Sequence, residues 1–372
     1  MKKDLMRVYE TDASQFKGNA LDVVHPTTIM EVRNIVSRTQ RIVPRGAGTG
    51  VVGGCVPLNG LDVVLDLSGL VGIRGLDIER RTVEVDAGVI LDDLQDYLAK
   101  SNLEFPINPL NHKVCTIGGM IAIDTIDNRM IKYGKTSNWI KWVEVVDGYG
   151  NLHRKGVTEL SDYAGMEGIT GVIVRACLKL LPIKKRTASL IKVENFEEIV
   201  SIVRELKRNS MVSMIDFFDK EISKGLELTE DYHLIVEYED SGGLLKGEEY
   251  DDLMKMRNKV YSFVVREDYV RIEDIRIMID RFVKLLNWLE DVGIPTFGHI
   301  GVGILHPCFS RDKEKFIPEL MKFVKRLGGQ ISGEQGIGIL KTKFLDEGDK
   351  RILINVKKRT DPLNKFNVGK VI

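Results

Sequence analysis

The residues best suited to chemistry lie in four short stretches. They are "PRGAGTGVVGG" from Pro44 to Gly54, "TIGGMIA" from Thr116, "GHIGVGILHP" from Gly298 and "SGEQGIG" from Ser332. The first packs five glycines into eleven residues. Backbone N–H groups in such a loop can form a concavity for an anion such as a pyrophosphate. The alternative is a glycine-rich turn packed against a helix, and glycine motifs alone do not choose between the two. His299 and His306 are seven apart, which on a regular strand places them on opposite faces. Gly301 and Gly303 between them allow a bulge that brings both imidazoles to one point. Glu334, from a separate glycine-flanked turn, can supply a third ligand. Two imidazoles and a carboxylate with open positions suit Zn, Mn or Fe(II), and such an ion polarises substrate oxygens as a Lewis acid. Two histidines satisfied inside a core are the competing reading.

Residues 48–53 match the dinucleotide pattern G-x-G-x-x-G, and Asp66 stands where a ribose-binding acid could sit. A Rossmann loop must open straight into a helix whose N-terminal N–H groups hold the pyrophosphate. Here the glycines run into "CVPLNGLD", with Pro57 and an Asn59-Gly60 turn, and then the strand "VVLDL". A parallel crossover takes roughly a dozen residues, usually helical, and this gap is read as unable to supply one. The Rossmann reading fails. Two further places support an anion cradle over a simple turn. "FPINPLNHKVCTIGGMIA" carries Gly118 and Gly119, and "EGITGVIV" carries Gly168 and Gly171. Three such places suit an elongated ligand with a pyrophosphate centre and two ring ends.

These stretches need positioning elements. The 372 residues suffice for two domains, and 43% hydrophobic with 29% charged residues is ordinary for a soluble chain. Lys+Arg and Asp+Glu both number 54, so no excess field points to nucleic acid. The four cysteines form no C-x-x-C, which argues against an iron–sulfur cluster or a disulfide framework. "MKKDLMRVYETD" has no apolar leader core, and no run approaches the ~18 apolar residues of a spanning helix. A cytoplasmic location follows as the default, with attachment to a membrane only through a partner.

The first half alternates strands and helices. "HPTTIMEVRNIVSRTQ" and "LDDLQDYLAKSN" read as helices, "LDVVLDLSGL" and "RTVEVDAG" as strands, and "WIKWVEVVDGYGNLHR" as a hairpin turning at Asp147-Gly148. "GVIVRACLKLLPIKK" reads as a strand leaving a first domain over 1–187, with Pro182 and a basic cluster near the border. A second domain over 188–372 follows. It has strands at "SLIKVE", "MVSMIDFF" and "HLIVEYE", a helix at "NFEEIVSIVRELKRN", a long helix at "EDIRIMIDRFVKLLNWLEDVG" and another at "PELMKFVKRLGG".

With "VPRGAGTGVVGG", "DLSGL", "VEVDAGV", "FPINP", "TIGGMIA", "KYGKTSNWI", "EGITGVIV", "GHIGVGILHP", "SGEQGIG" and "DPLNKFNVGK" in this order, the sequence resembles the FAD-linked oxidases of the vanillyl-alcohol-oxidase type. Within them it resembles the D-lactate dehydrogenase, glycolate oxidase and D-2-hydroxyglutarate dehydrogenase group. The resemblance implies an α+β fold: a two-part FAD-binding domain, then a ferredoxin-like α+β substrate (cap) domain whose C-terminal segment returns to the flavin. It implies FAD contacts at Pro44, Arg45, Gly46, Ala47, Gly48, Thr49, Gly50 and Gly54, at Pro109, Thr116, Gly118, Gly119, Tyr133 and Gly134, at Gly168 and Val172, and at Asn367. No His or Cys stands inside the first glycine run, so the flavin is expected to be noncovalent. With the motif matched, His299, His306 and Glu334 are expected to hold a divalent metal (Zn, Mn or Fe).

The resemblance also implies a basic clamp for a substrate carboxylate. Arg257 matches the family's arginine, and Arg266 is a looser match. Three places depart. Val302 and Ile304 replace an acid and an amide, "DTIDN" replaces a small-residue run, and Gln335 stands where the family carries its base histidine. A glutamine does not accept a proton at neutral pH. Two functions are therefore expected to compete. One is FAD-dependent oxidation of a small 2-hydroxy acid. The other is an FAD-binding subunit of an electron-transfer complex, as a homo- or hetero-oligomer, delivering electrons to a quinone or an iron–sulfur partner.

Overall fold

The computed structural model describes residues 6–372. The first five, part of the N-terminal stretch read as lacking an apolar leader, lie outside the described residues. Helices and strands are mixed, and the chain divides into two compact units. The first comprises 1–126, 135–183 and 334–372; the second comprises 127–134 and 184–333.

In the first unit, Ala20–Val24, Asp62–Asp66 and Ile42–Arg45 form a parallel sheet with Asp62–Asp66 central. The helix Ile29–Arg38 starts in a capping box: Thr28 accepts from the Glu31 N–H, and the Glu31 carboxylate accepts from the Thr28 N–H. It buries Val32 and Val36 against Ile42, Leu65, Val146, Val172 and Phe366. A five-stranded antiparallel sheet runs in the order Ile73–Asp77, Thr82–Asp86, Val172–Lys179, Ile140–Val146, Leu152–Gly156. The expected hairpin is its far edge. The expected exit strand, Val172–Lys179, is the central strand of this sheet, and the unit's segment ends soon after it, at 183.

One expectation is corrected. The gap after the glycine run does carry a parallel crossover, because residues 46–61 link the parallel strands Ile42–Arg45 and Asp62–Asp66. It does so without a helix. Backbone bonds within the loop, such as Val56 N–H to Gly53 O, do the ordering that a helix would otherwise do.

The second unit holds a seven-stranded sheet, ordered Arg186–Val193, Tyr232–Glu239, Val212–Phe218, Thr296–Gly298, Ile304–Ser310, Tyr269–Ile272. Ile275–Arg276 pairs off that path with Ile304–Ser310. The expected long helix is shorter than the periodicity implied, starting at Phe282 and ending at Val292. Ahead of it, Ile275 is fully buried and opposite Leu305, so strand pairing wins over helical extension there.

Two segments cross the expected border between 187 and 188. Residues 127–134 join the second unit, where Arg129 forms a two-pronged bond of 2.7 and 3.0 Å to the fully buried Glu237. Residues 334–372 join the first. Asp361 accepts from the N–H groups of Lys365 and Phe366 and from Lys357 Nζ, which folds "DPLNKF" so that Phe366 bridges Ile42.

Candidate functional site

The first unit holds the expected flavin contacts other than Tyr133 and Gly134. A Cβ on Gly46 would lie 2.4 Å from Thr116 Oγ1, so the first glycine loop touches the second glycine place directly. Gly168 lies against Pro44 and the amide of Asn367, and that amide donates to the Glu167 carbonyl at 2.7 Å. Val172 begins the strand that follows, Ala47 and Thr49 lie on the loop, and Pro109 on the segment before Thr116. Thr116 caps the helix Ile117–Ile123 by accepting from the Gly119 N–H, which sets Gly118 and Gly119 in its first turn.

The glycines divide into two kinds. Gly48 has φ +72°, and a Cβ there would strike the Arg45 guanidinium; a Cβ on Gly118 would strike Ala87. Both are glycine because the protein itself occupies the space. Among the described residues, such a Cβ at Gly50 meets within 4 Å only an Asp12 oxygen, at 3.5 Å, and at Gly54 only a Glu167 oxygen, at 3.4 Å. Those two lack a packing reason, and an adenine dinucleotide laid on the loop needs that open space. The residues fit FAD.

Glu167 escaped the sequence reading. It is buried, and its carboxylate accepts from the N–H groups of Ile337 and Gly338 at 2.7 and 2.8 Å. It thereby holds the turn that follows Glu334 and Gln335. No motif signals this, since a lone acid three residues before "TG" resembles any surface acid. Tyr133 and Gly134, expected among the flavin contacts, fall in the second unit, where the Tyr133 hydroxyl bonds Glu239.

In the second unit, His299 and His306 meet, though not through a bulge. Thr296–Gly298 and Ile304–Ser310 form an antiparallel pair joined by the 3-10 turn Ile300–Val302, with Gly303 in the left-handed region at φ +86°. A hairpin, unlike a single strand, returns two residues seven apart to the same place. The ring centroids are 5.5 Å apart and nearly perpendicular, and both side chains are buried. His306 Nδ1 lies 3.2 Å from the Glu273 carbonyl, which only accepts, so that nitrogen carries the proton. His299 Nδ1 lies 2.8 Å from Asp216. Glu334 is joined by a peptide bond to Gly333, the last residue of this unit, and begins the last segment of the first.

Asp216 is the second residue the sequence reading missed. It sits in the strand Val212–Phe218 and carries both His299 and Arg257. Burial pushes its carboxyl pKa up, but the Arg257 guanidinium and His299 outweigh that and hold it below the ordinary range. Asp216 is therefore a carboxylate that accepts from His299 Nδ1. Arg257, expected to clamp substrate, is buried with Nε and Nη2 on Asp216 at 2.8 and 2.7 Å and Nη1 on Asn258. Its planar fork is taken by the nearest carboxylate. Arg266, the looser candidate, pairs with its neighbour Glu267 in solvent at the end of the helix Val260–Arg266.

Residues 20–156 match the FAD binding domain, and residues 246–371 match the C-terminal domain of the FAD linked oxidases. The chain belongs to the FAD-linked oxidases. It is 28% identical to a D-lactate dehydrogenase of Archaeoglobus fulgidus, across 94% of this chain and 91% of the relative. It is 27% identical to a D-lactate dehydrogenase of Anaerostipes hadrus, across 94% and 89%. It is 26% identical to the glycolate oxidase subunit GlcD of Bacillus subtilis, across 98% and 92%. This FAD-linked oxidase has no helix, among the described residues, long and apolar enough to cross a membrane.

Proposed function

We propose that this chain oxidises a small 2-hydroxy acid, such as lactate or glycolate, beside a divalent ion held by His299, His306 and Glu334, with FAD bound noncovalently. The observation that carries this reading is the buried pair of imidazoles whose Nδ1 atoms are engaged by Asp216 and by the Glu273 carbonyl. A ring that donates from Nδ1 presents its Nε2 lone pair, the form a metal takes. FAD supplies a hydride acceptor at N5 when bound, and a divalent ion supplies Lewis acidity toward the hydroxyl and carboxylate oxygens. The names carried by the relatives support the substrate class.

The chain's own residues then have these roles. Asp216 orients His299, Arg257 keeps Asp216 ionised, and Glu334 contributes the negative ligand. Gln335 donates from its amide to a substrate oxygen but takes no proton. That substitution favours a second reading, an FAD-carrying subunit that passes electrons to a quinone or an iron–sulfur partner; one relative is itself named as a subunit.

Elemental analysis combined with anaerobic bleaching of the flavin band by D- and L-2-hydroxy acids separates the two. Bleaching by one enantiomer, slowed by chelation, supports the first. Metal-free protein that dithionite reduces and no acid bleaches overturns it in favour of the second.

A further inference from the structure

Against the first glycine loop, the first unit buries two cations, Lys370 and Arg45. Lys370 is fully buried, and its Nζ donates to the Gly54 carbonyl at 3.1 Å and to Asn367 Oδ1 at 3.0 Å. Both partners are neutral. Arg45, also buried, reaches the Cys55 carbonyl and Sγ at 3.4 Å and the Val8 carbonyl at 3.2 Å, again all neutral. Among the described residues, no carboxylate lies within ion-pairing distance of either. Asp62 is committed to Arg41 and to the Leu58 N–H. Asp12 is bonded to Ser14, and burial pushes its own carboxyl up.

An excess buried charge is costly unless an opposite charge arrives. The two cations hold successive carbonyls of the loop, Gly54 and Cys55. In a trans peptide the C=O and the following N–H point to opposite sides, so fixing Gly54 O on Lys370 turns the Cys55 N–H the other way. That is the arrangement an anion-binding loop requires.

We propose that Lys370, with Arg45, forms a positive floor under the glycine loop whose counter-charge is the pyrophosphate of FAD, so that FAD binding and protonation of Lys370 are coupled. This rests on FAD lying on the loop 44–54 and is independent of which substrate is oxidised. Lys370 is a positioning residue: it acts through the loop backbone and through its field.

Burial lowers the Lys370 ammonium to about 8, against smaller opposing effects of Cys55, Asp62 and Asp12 and with a further lowering by Arg45. A bound anion stabilises the charged form and raises that value. FAD should therefore bind more tightly below pH 8 than above it, with proton uptake where free Lys370 is partly neutral. Tyr9 and Cys55, the other titratable groups beside this floor, are both raised above their usual values and titrate higher still.

The test is titration of the full-length apoprotein with FAD from pH 7 to 9.5. Flavin fluorescence gives the affinity, and calorimetry in two buffers of different ionisation enthalpy gives the proton count. The expectation is affinity that falls through pH 8–9 with fractional proton uptake. Lys370→Met should weaken FAD binding roughly 10- to 100-fold and flatten the pH profile, and Lys370→Arg should restore affinity without the profile. Flat wild-type affinity with no proton uptake overturns the coupling whether or not any variant folds. A Met variant with wild-type affinity and slope overturns the assignment to Lys370.

Discussion

In the first unit the ligand-facing surface is mostly backbone: a loop of glycines, a helix start at Thr116, and an amide at Asn367 tied to the Glu167 carbonyl. In the second, the candidate ligands are side chains, His299 and His306, held by another side chain, Asp216, that depends on a third, Arg257. The first kind of site survives drift, because nearly any residue supplies an N–H and only Cβ volume is forbidden. The second changes character with one substitution. Of the departures that the resemblance implies, Val302, Ile304 and Gln335 lie in or beside the second kind of site and "DTIDN" follows the helix Ile117–Ile123, while the glycine loop itself is intact.

The largest effect expected is on rate. If Gln335 is what limits hydroxy-acid oxidation, Gln335→His should raise turnover about 10²–10⁴-fold, the usual worth of a positioned base. Stopped-flow reduction of the flavin measures it. No change would mean that the second site differs in more than its base.

Asp216→Ala tests whether the two regions are separable. It leaves the Arg257 charge buried without its carboxylate, which costs about 3–5 kcal/mol of stability. It also frees His299 to turn. Denaturant unfolding followed by flavin and by tryptophan signals should show the second unit weakened and metal lost while the flavin stays bound. Loss of all three together would make the two regions one cooperative structure.

Acid should act on the same side of the comparison. Burial drives the Glu237 carboxyl up, but the Arg129 charge and the hydrogen bonds from Arg129, Ser213 and Tyr250 together outweigh it and bring it to about 2. A carboxyl lowered from 4.5 to about 2 adds stability that is complete above its unfolded pKa and is lost as pH falls through the folded one. That is about 3 kcal/mol, disappearing between roughly pH 4.5 and 2. Arg129→Met should remove this dependence, as followed by thermal melts against pH.

The smallest effect sharpens the first region. Gly50→Val places a side chain into the open side of the loop and should weaken FAD binding roughly tenfold or more with little change in the apoprotein melting temperature. Gly48→Val should instead destabilise the apoprotein itself, because its φ of +72° and the Arg45 contact are internal to the fold. Equal melting temperatures for the two variants would remove the distinction between cradle and packing glycines.

The sequence by itself determined the parts that are local or backbone-made. Glycine runs report loops that need close approach, the apolar spacing of "HPTTIMEVRNIVSRTQ" reports a helix, and Asp147-Gly148 reports a hairpin. It also held enough ordered motif text to point to the family. Where pairing partners lie far apart in the chain, only the tertiary structure decided. Periodicity over residues 273–281 fits a helix, and the strand Ile304–Ser310 claimed Ile275 and Arg276 instead. Residues 127–134 read as part of the first domain until Arg129 meets Glu237, 108 positions away. Arg257 reads as a substrate clamp until Asp216, 41 positions earlier, takes its guanidinium. In each case the deciding term is the burial of a charge or an apolar strand against a distant residue. A one-dimensional pattern carries no trace of that partner, because the free energy belongs to the pair and not to either residue alone.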